Sequence, residues 1–410
     1  MFNSLGSWAD VIFIISLIIS STLIFFPKPR IPIYIQKFYV LIPFFFLVLV
    51  FSFFYDGITI GDLGAITARP IRIFATLIAG FIVVTFVKNT FPNNYQQKAL
   101  DFIFVSITMH AVIMILQFAF PDFKEIIYSY TTDGDYRSSF DYNFRMGGLS
   151  GGTGGAILSV VQASGVILYP FVVKGKNLKG KVLFFIFALI ICSSFLVCGR
   201  SGLWAVILFL PVAYFLKDDF LRISSVIKFV FIIVFAVLIF GIIIVGIGTL
   251  DSDSSIFLAL NRTLDTFLDF NKTGEFNDNT TSILVDHILF PKDLHVFFIG
   301  ETEHIINSQF GREVESDIGY IRNLWSYGVF GTIAFTLPMI SITIDAILFK
   351  RFFTARAIFV LSILTLFFHL KESFLYTRML LSILAIFLAL YHFEKNDNIV
   401  LLEKKVKSNF

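Results

Sequence analysis

Three arginines stand where apolar, helix-length stretches of the chain begin. Arg145 precedes MGGLSGGTGGAI, in which six of twelve residues are glycine; Arg200 lies in CGRSGL, and Arg322 lies in IRNLWSYGVFG. The planar guanidinium group stays charged and can bind two phosphate oxygens at once. A glycine-rich helix start also brings backbone N–H groups close to an anion. The arginines, together with Gly147 and Gly148, are therefore predicted to bind a multiply charged phosphate.

The chain that must position these residues has the composition of a membrane protein. Of its 410 residues, 57% are hydrophobic and 54 are Phe, and the mean hydropathy is +0.84. The net charge of +3 is small, which argues against a nucleic-acid partner. Apolar runs long enough to cross about 30 Å of hydrocarbon recur along the sequence. We predict an all-α polytopic membrane protein, a single integral membrane domain over residues 1–410, with about eleven spans: 10–26, 38–55, 71–87, 99–120, 151–173, 181–198, 201–216, 226–249, 324–349, 352–370 and 373–393.

Lysine and arginine predict the orientation of these spans. The loop KGKNLKGK, between spans five and six, holds four lysines in eight residues, and such loops favour the cytoplasm. Alternation then places the amino terminus outside and the carboxyl terminus inside, and makes 121–150 and 251–323 two sizeable outer loops. The spans that begin near Arg145, Arg200 and Arg322 all run inward, so these arginines are predicted to lie at the outer face.

Two structural explanations compete with phosphate binding. A lone arginine at a membrane interface is usually an anchor that reaches the headgroups. Glycines at the start of a span also permit close helix packing. Anchors are less favoured on the outer side, however, and Arg72 adds one more cation there. The recurrence favours a phosphate ligand, and the predicted binding set is Arg69, Arg145, Arg200, Arg312, Gly147 and Gly148.

Three short patterns carry a resemblance to a known family. They are RMGGL from Arg145, GRSGL from Gly199 and SDIGY from Ser316. With many spans and a long outer loop before the last helices, the chain resembles the O-antigen polymerase and O-antigen ligase superfamily of bacterial envelope glycosyltransferases. The resemblance implies a GT-C-like architecture in the bacterial inner membrane, with the two outer loops and the active site at the periplasmic face.

Within this superfamily the chain resembles the polymerase branch more than the ligase branch. Ligases carry a histidine, then Asn, Ser or Gln, nine residues, Gly, two residues and Gly. Gly328 and Gly331 fit that spacing, but Asp317 stands at the histidine position and Ile318 follows it. Polymerases often read Ser-Asp-x-Gly-Tyr, and they show Arg, ten residues, then Gly, a spacing that Arg137 begins here.

The resemblance implies a reaction between two lipid-linked saccharides. A polymerase joins repeat units carried on undecaprenyl diphosphate by transferring the growing glycan to the incoming unit. Arginines would stabilise the leaving diphosphate, so we predict a metal-independent enzyme with no cofactor. A base must accept the proton of the acceptor hydroxyl. The predicted catalytic residues are Asp317 as first choice, His304 as second and Arg322 beside them, and the predicted substrate-binding residues are Tyr320 and Arg137.

Two other functions stay open at this point. One is an O-antigen ligase that transfers the glycan to lipid A-core, and the other is a lipid-linked oligosaccharide flippase. A flippase should place its charges along a central cavity, whereas few charges lie mid-span here. The partners implied are the undecaprenyl-diphosphate-linked donor and acceptor, the membrane lipids and a chain-length regulator protein.

Overall fold

The computed structural model describes residues 33–54, 63–131, 146–150, 155–217, 288–301, 316 and 318–408. Every regular element within these ranges is helical, as the composition predicts. A 3-10 turn, Lys37–Val40, joins the first two helices. The α-helices are α1 (Ile33–Gln36), α2 (Leu41–Phe54), α3 (Leu63–Thr90), α4 (Tyr95–Ala119), α5 (Pro121–Thr131), α6 (Ala156–Val172), α7 (Leu178–Cys198), α8 (Ser201–Leu216), α9 (Leu294–Ile299), α10 (Gly319–Leu348), α11 (Phe353–Phe368) and α12 (Arg378–Ser408).

Five of these helices, α3, α4, α7, α10 and α12, contain stretches that are long and apolar enough to cross a membrane. Large apolar side chains point away from the protein along them; Phe86 is 70% exposed and Phe330 is 63% exposed. Such surfaces suit lipid rather than water. The prediction of an α-helical, membrane-embedded protein is therefore confirmed, while the count of eleven spans and the GT-C-like architecture stay predictions. Predicted spans 10–26 and 226–249 lie outside the described residues.

Charged residues explain where the helix boundaries differ from the predicted spans. Span three was predicted to begin at 71 and span nine at 324, but α3 begins at Leu63 and α10 begins at Gly319. Each predicted start follows an arginine, Arg69 or Arg322, because charge usually ends a span. The helices continue past these two arginines, and both side chains line a cavity. In the predicted outer loop 121–150, the structure has one further helix, α5.

The chain divides into two compact units, residues 1–99 with 280–410 and residues 100–279. In the first unit α3 packs along α12. The helix α11 follows α10 and precedes α12 in the sequence, and it contacts both of them. The two helices α3 and α12 come close together at Gly80, where an added Cβ would lie 2.8 Å from the carbonyl carbon of Ala385. Only glycine permits this backbone contact.

At one end of the first unit, basic residues are paired with carboxylates. Lys88 Nζ lies 2.7 Å from Asp397 Oδ1, and Lys37 forms an ion pair with Asp345. Glu394 accepts hydrogen bonds from the first N–H groups of α11. The starts of α3, α10 and α12 lie together at the other end, as the predicted alternation of spans three, nine and eleven requires.

The second unit is built on α6, which packs against both α7 and α8. The Gly202 N–H near the start of α8 donates to Ser159 Oγ of α6 at 3.0 Å. The turn Met146–Ser150, which belongs to the glycine-rich stretch, is also part of this unit.

Candidate functional site

A cavity of about 240 Å³ lies in the first unit where α3, α10 and α12 begin. Four arginines line it, two from α3 and one each from α10 and α12. No carboxylate side chain appears among the described residues of its wall. The lining consists of Arg69, Arg72, Arg322 and Arg378 with Thr76, Asn323, Ser326, Tyr327, Ser373, Tyr376, Thr377 and Leu381.

Aromatic rings fix the guanidinium group of Arg69. Its Cζ lies 4.9 Å from the ring centroid of Phe335 and 5.7 Å from that of Tyr327. Its Nη1 donates to Asn323 Oδ1 at 3.5 Å. A planar guanidinium suits both contacts, since it stacks on rings and donates in its own plane. Arg69 therefore places a fixed positive charge at the cavity wall.

Asn323 is held in turn by His369, which follows α11. Asn323 Nδ2 lies 3.0 Å from His369 Nε2, and the backbone N–H groups of Phe374 and Leu375 point at His369 Nδ1 from 3.0 and 3.2 Å. Burial, together with the nearby Arg69 charge, lowers the pKa of His369 to about 3, although a hydrogen bond with the Glu372 backbone opposes this shift. The imidazole is thus neutral at physiological pH and adds no cation to the site.

Two polar atoms of the wall are buried and have no hydrogen-bond partner in the part of the chain that the structure describes. They are Arg322 Nε and Thr377 Oγ1. A buried donor without an acceptor costs about 1–3 kcal/mol, so native proteins usually pair such groups with protein, water or ligand. The cavity therefore offers donors to a bound molecule.

The loop between α11 and α12 carries a strained backbone. Tyr376 has φ of +63°, in the left-handed region that bulky residues rarely adopt. Its hydroxyl donates to the Phe335 carbonyl, and its ring lies 5.8 Å from that of Phe335 and 5.9 Å from that of Phe38. Burial raises the pKa of Tyr376, so the phenol keeps its proton and remains a donor. These contacts hold the residue that precedes Thr377 and Arg378.

The structure brings together only some of the predicted site residues. Arg69 and Arg322 line one cavity. Tyr320 does not line it; its ring packs 4.4 Å from that of His369, and its hydroxyl donates to the Leu366 carbonyl at 3.2 Å. Arg200 directly precedes α8 in the second unit. The predicted residues that lie outside the described part of the chain are Arg137, Arg145, His304, Arg312 and Asp317.

Gly147 and Gly148 have protein partners for the N–H groups that were predicted to bind phosphate. Gly147 N donates to the Tyr128 hydroxyl at 2.8 Å, and Gly148 N donates to Gln117 Oε1 at 2.9 Å. Gly148 has φ of +59°, and an added Cβ would lie 2.4 Å from His110 Nε2. In this arrangement the two glycines serve a tight turn against α4, and their role in phosphate binding stays a prediction.

Sequence reasoning missed Arg378, Asn323 and Thr377. Arg378 begins α12, so it shows the same pattern as Arg322, an arginine at the start of an inward span. Applying that rule to span eleven would have found it. Thr377 and Asn323 carry no such signal, because each is recognisable only from the hydrogen bonds around it.

The described residues contain no group of three His, Cys, Asp or Glu side chains that could hold a metal ion. Comparisons of the chain with protein-family models, curated proteins and solved structures found no match. The arginine-lined cavity is therefore the observation from which a function is inferred.

Proposed function

We propose that this membrane protein is a polysaccharide polymerase of the O-antigen type, acting at the periplasmic face of a bacterial inner membrane. It would join repeat units carried on undecaprenyl diphosphate by transferring the growing glycan to the incoming unit. The observation that carries the proposal is the cavity lined by four arginines and by no described carboxylate. Such a wall favours a ligand with several negative charges.

The size of the cavity supports a headgroup rather than a whole substrate as its occupant. Its volume of about 240 Å³ is below the roughly 300–1,000 Å³ of sites that enclose drug-sized ligands. A diphosphate suits this space, whereas the saccharide and the polyprenyl chain would extend beyond it. Arg322 Nε, which has no hydrogen-bond partner among the described residues, is a donor for such a headgroup.

The chemistry follows from where charge develops. An acceptor hydroxyl attacks the anomeric carbon of the donor glycan, forming the new C–O bond as the bond to the diphosphate oxygen breaks. The electron pair leaves with polyprenyl diphosphate, and the hydroxyl proton passes to a base. Arg69 and Arg322 would stabilise the leaving group because their charges are in place before the bond breaks. Asp317 and then His304 remain the proposed bases.

The packing below the cavity bears on the flippase alternative. Gly80 and Ala385 lie one helical turn further along α3 and α12 than the cavity residues Thr76 and Leu381. Their backbones lie close together, so a passage for a charged headgroup is closed between these two helices at this level. A flippase needs such a passage, whereas a transferase needs only an open outer end. The ligase alternative is compatible with the same cavity.

The direct test uses purified full-length protein in proteoliposomes with lipid-linked repeat units extracted from the source cells. A polymerase should produce a ladder of lipid-linked glycans without added lipid A-core. A ligase would leave single units unchanged until lipid A-core is supplied, and a flippase would only move them between leaflets. Absence of a ladder from folded protein would contradict the proposal.

A further inference from the structure

Thr377 stands at the position where a helix is normally capped. It immediately precedes α12, and its carbonyl accepts from Leu381 N at 2.9 Å. A threonine there usually accepts a hydrogen bond through Oγ1 from an N–H group two or three residues later. Thr377 Oγ1 is instead buried without a hydrogen-bond partner among the described residues. Capping therefore does not account for this hydroxyl.

The backbone around Thr377 keeps the hydroxyl where it is. Thr377 N donates to the Phe374 carbonyl at 3.2 Å, and Phe374 N itself points at His369. Tyr376, which directly precedes Thr377 and has the strained backbone, donates a hydrogen bond from its hydroxyl to the Phe335 carbonyl. Strained backbone that is held by several contacts is commonly found at ligand sites. The threonine side chain is thus presented to the cavity by a constrained loop.

Thr377 and Arg322 supply complementary groups to one space. Both line the arginine cavity, and each contributes a buried polar atom without a partner in the described structure. An arginine N–H is a donor with fixed direction, whereas a hydroxyl rotates and donates toward whichever oxygen is near. A phosphoryl oxygen is an acceptor that suits both kinds of donor.

We propose that the Thr377 hydroxyl is a ligand-binding donor that hydrogen-bonds a phosphoryl oxygen of the bound diphosphate; this rests on the proposed function, because it takes the diphosphate as occupant of the cavity. Thr377 then recognises the headgroup by a directed hydrogen bond, while the arginines supply charge. The ligand chemistry is a diphosphate, either free or at the head of a polyprenyl lipid.

The test compares Thr377→Val, which keeps the shape and removes the hydroxyl, with Thr377→Ser, which keeps the hydroxyl. Full-length protein in detergent is titrated with inorganic pyrophosphate and, separately, with undecaprenyl diphosphate in micelles. The valine variant should bind about tenfold or more weakly, and the serine variant close to wild type. Thr85→Val is the control, since that hydroxyl bonds within α3 to the Phe81 carbonyl. Weakening seen with pyrophosphate identifies headgroup recognition, and weakening seen only with the lipid identifies a membrane-borne ligand.

Thermal unfolding without ligand separates binding from a structural role. Thr377→Val should be at least as stable as wild type, because it removes a buried hydroxyl that has no partner among the described residues. A loss of stability would assign Thr377 to helix capping and overturn the inference. Unchanged affinity in a folded Thr377→Val variant would overturn it too, while leaving the diphosphate site in place. Wild-type protein that binds neither probe would overturn both this inference and the proposed function.

Discussion

The arginine cavity and the Met146–Ser150 turn differ in how their hydrogen-bond donors are satisfied, although the sequence predicted that both would bind phosphate. Both bring together donors that could bind an anion. In the cavity, Arg322 Nε and Thr377 Oγ1 are buried without a partner among the described residues. In the turn, Gly147 N and Gly148 N donate to side chains of the protein. A cluster of donors therefore indicates a ligand site only when the protein does not itself place acceptors beside those donors.

The acceptors in the turn come from helices distant in sequence. Gln117 and His110 belong to α4, and Tyr128 belongs to α5. Leu149 N donates to His110 Nε2 at 3.1 Å, so three successive N–H groups meet three different side chains. The wall of the cavity has hydroxyl, amide and aromatic groups beside its arginines instead, and none of the described residues that line it is a carboxylate. The difference predicts that mutations in the two regions will separate activity from stability.

The largest effect is expected for Arg322→Gln, which removes one charge from the cavity. Losing a charge-assisted contact to the leaving diphosphate should lower the rate of polymer formation about ten- to a hundredfold. The unfolding temperature should not fall, because the Arg322 side chain has a buried atom without a partner in the described part of the chain. Initial rates of ladder formation and thermal unfolding measure the two quantities.

The control for Arg322→Gln is Arg351→Gln, which removes an arginine that stacks on Phe352 after α10. That residue is exposed and lies outside the cavity. If both variants lose activity equally, the loss comes from the change in net charge and not from the cavity. The proposed contrast between the two regions would then be wrong.

A smaller effect, on stability, is expected for Gly148→Ala. The alanine must adopt φ of +59° and place its Cβ against the His110 ring, so we expect a loss of more than about 2 kcal/mol of unfolding free energy. Gly175→Ala is the matched control, because Gly175 has φ of +78° but nothing within 4 Å of an added Cβ. It should lose only about 1 kcal/mol. Pyrophosphate affinity should be unchanged in both variants if the turn binds no phosphate, and a weakened Gly148→Ala would restore the glycines as phosphate ligands.

The last effect develops only at acidic pH and concerns the neutral imidazole of His369 behind the cavity. Because the pKa of His369 falls from about 6.5 in the unfolded chain to about 3 in the folded protein, protons favour the unfolded state below pH 6.5. Stability from this residue is therefore complete above about pH 6.5 and is lost as pH falls toward 3, by at most about 1.4 kcal/mol per pH unit. The difference in unfolding free energy between wild type and His369→Gln, measured from pH 7.5 to 4.5, isolates this slope. Parallel curves would mean that the pKa of His369 is the same in the folded and the unfolded protein.

The sequence predicted the class of the protein and part of the cavity, for identifiable reasons. Apolar runs of membrane length need no tertiary information, so the helices lie where those runs are. Arg69 and Arg322 were identified because arginines at the starts of inward spans recur. The partners of Gly147 and Gly148 could not be predicted, since Tyr128 and Gln117 reach the turn only after α4 and α5 have packed. Thr377 was missed because a capping threonine and a ligand-binding threonine look alike in a sequence.

The backbone contact between Gly80 and Ala385 has a consequence for the electrical properties of the membrane. A cavity lined by four arginines attracts small anions. An ion that crossed the bilayer there would dissipate the membrane potential, which stores about 2.3 kcal/mol per elementary charge at 100 mV. Helices that touch through backbone atoms leave no room for a hydrated ion between them. A larger residue at position 80 would force α3 and α12 apart, so Gly80→Val should raise chloride conductance between these helices. Gly80 thus keeps the bilayer impermeable to ions below the arginine cavity.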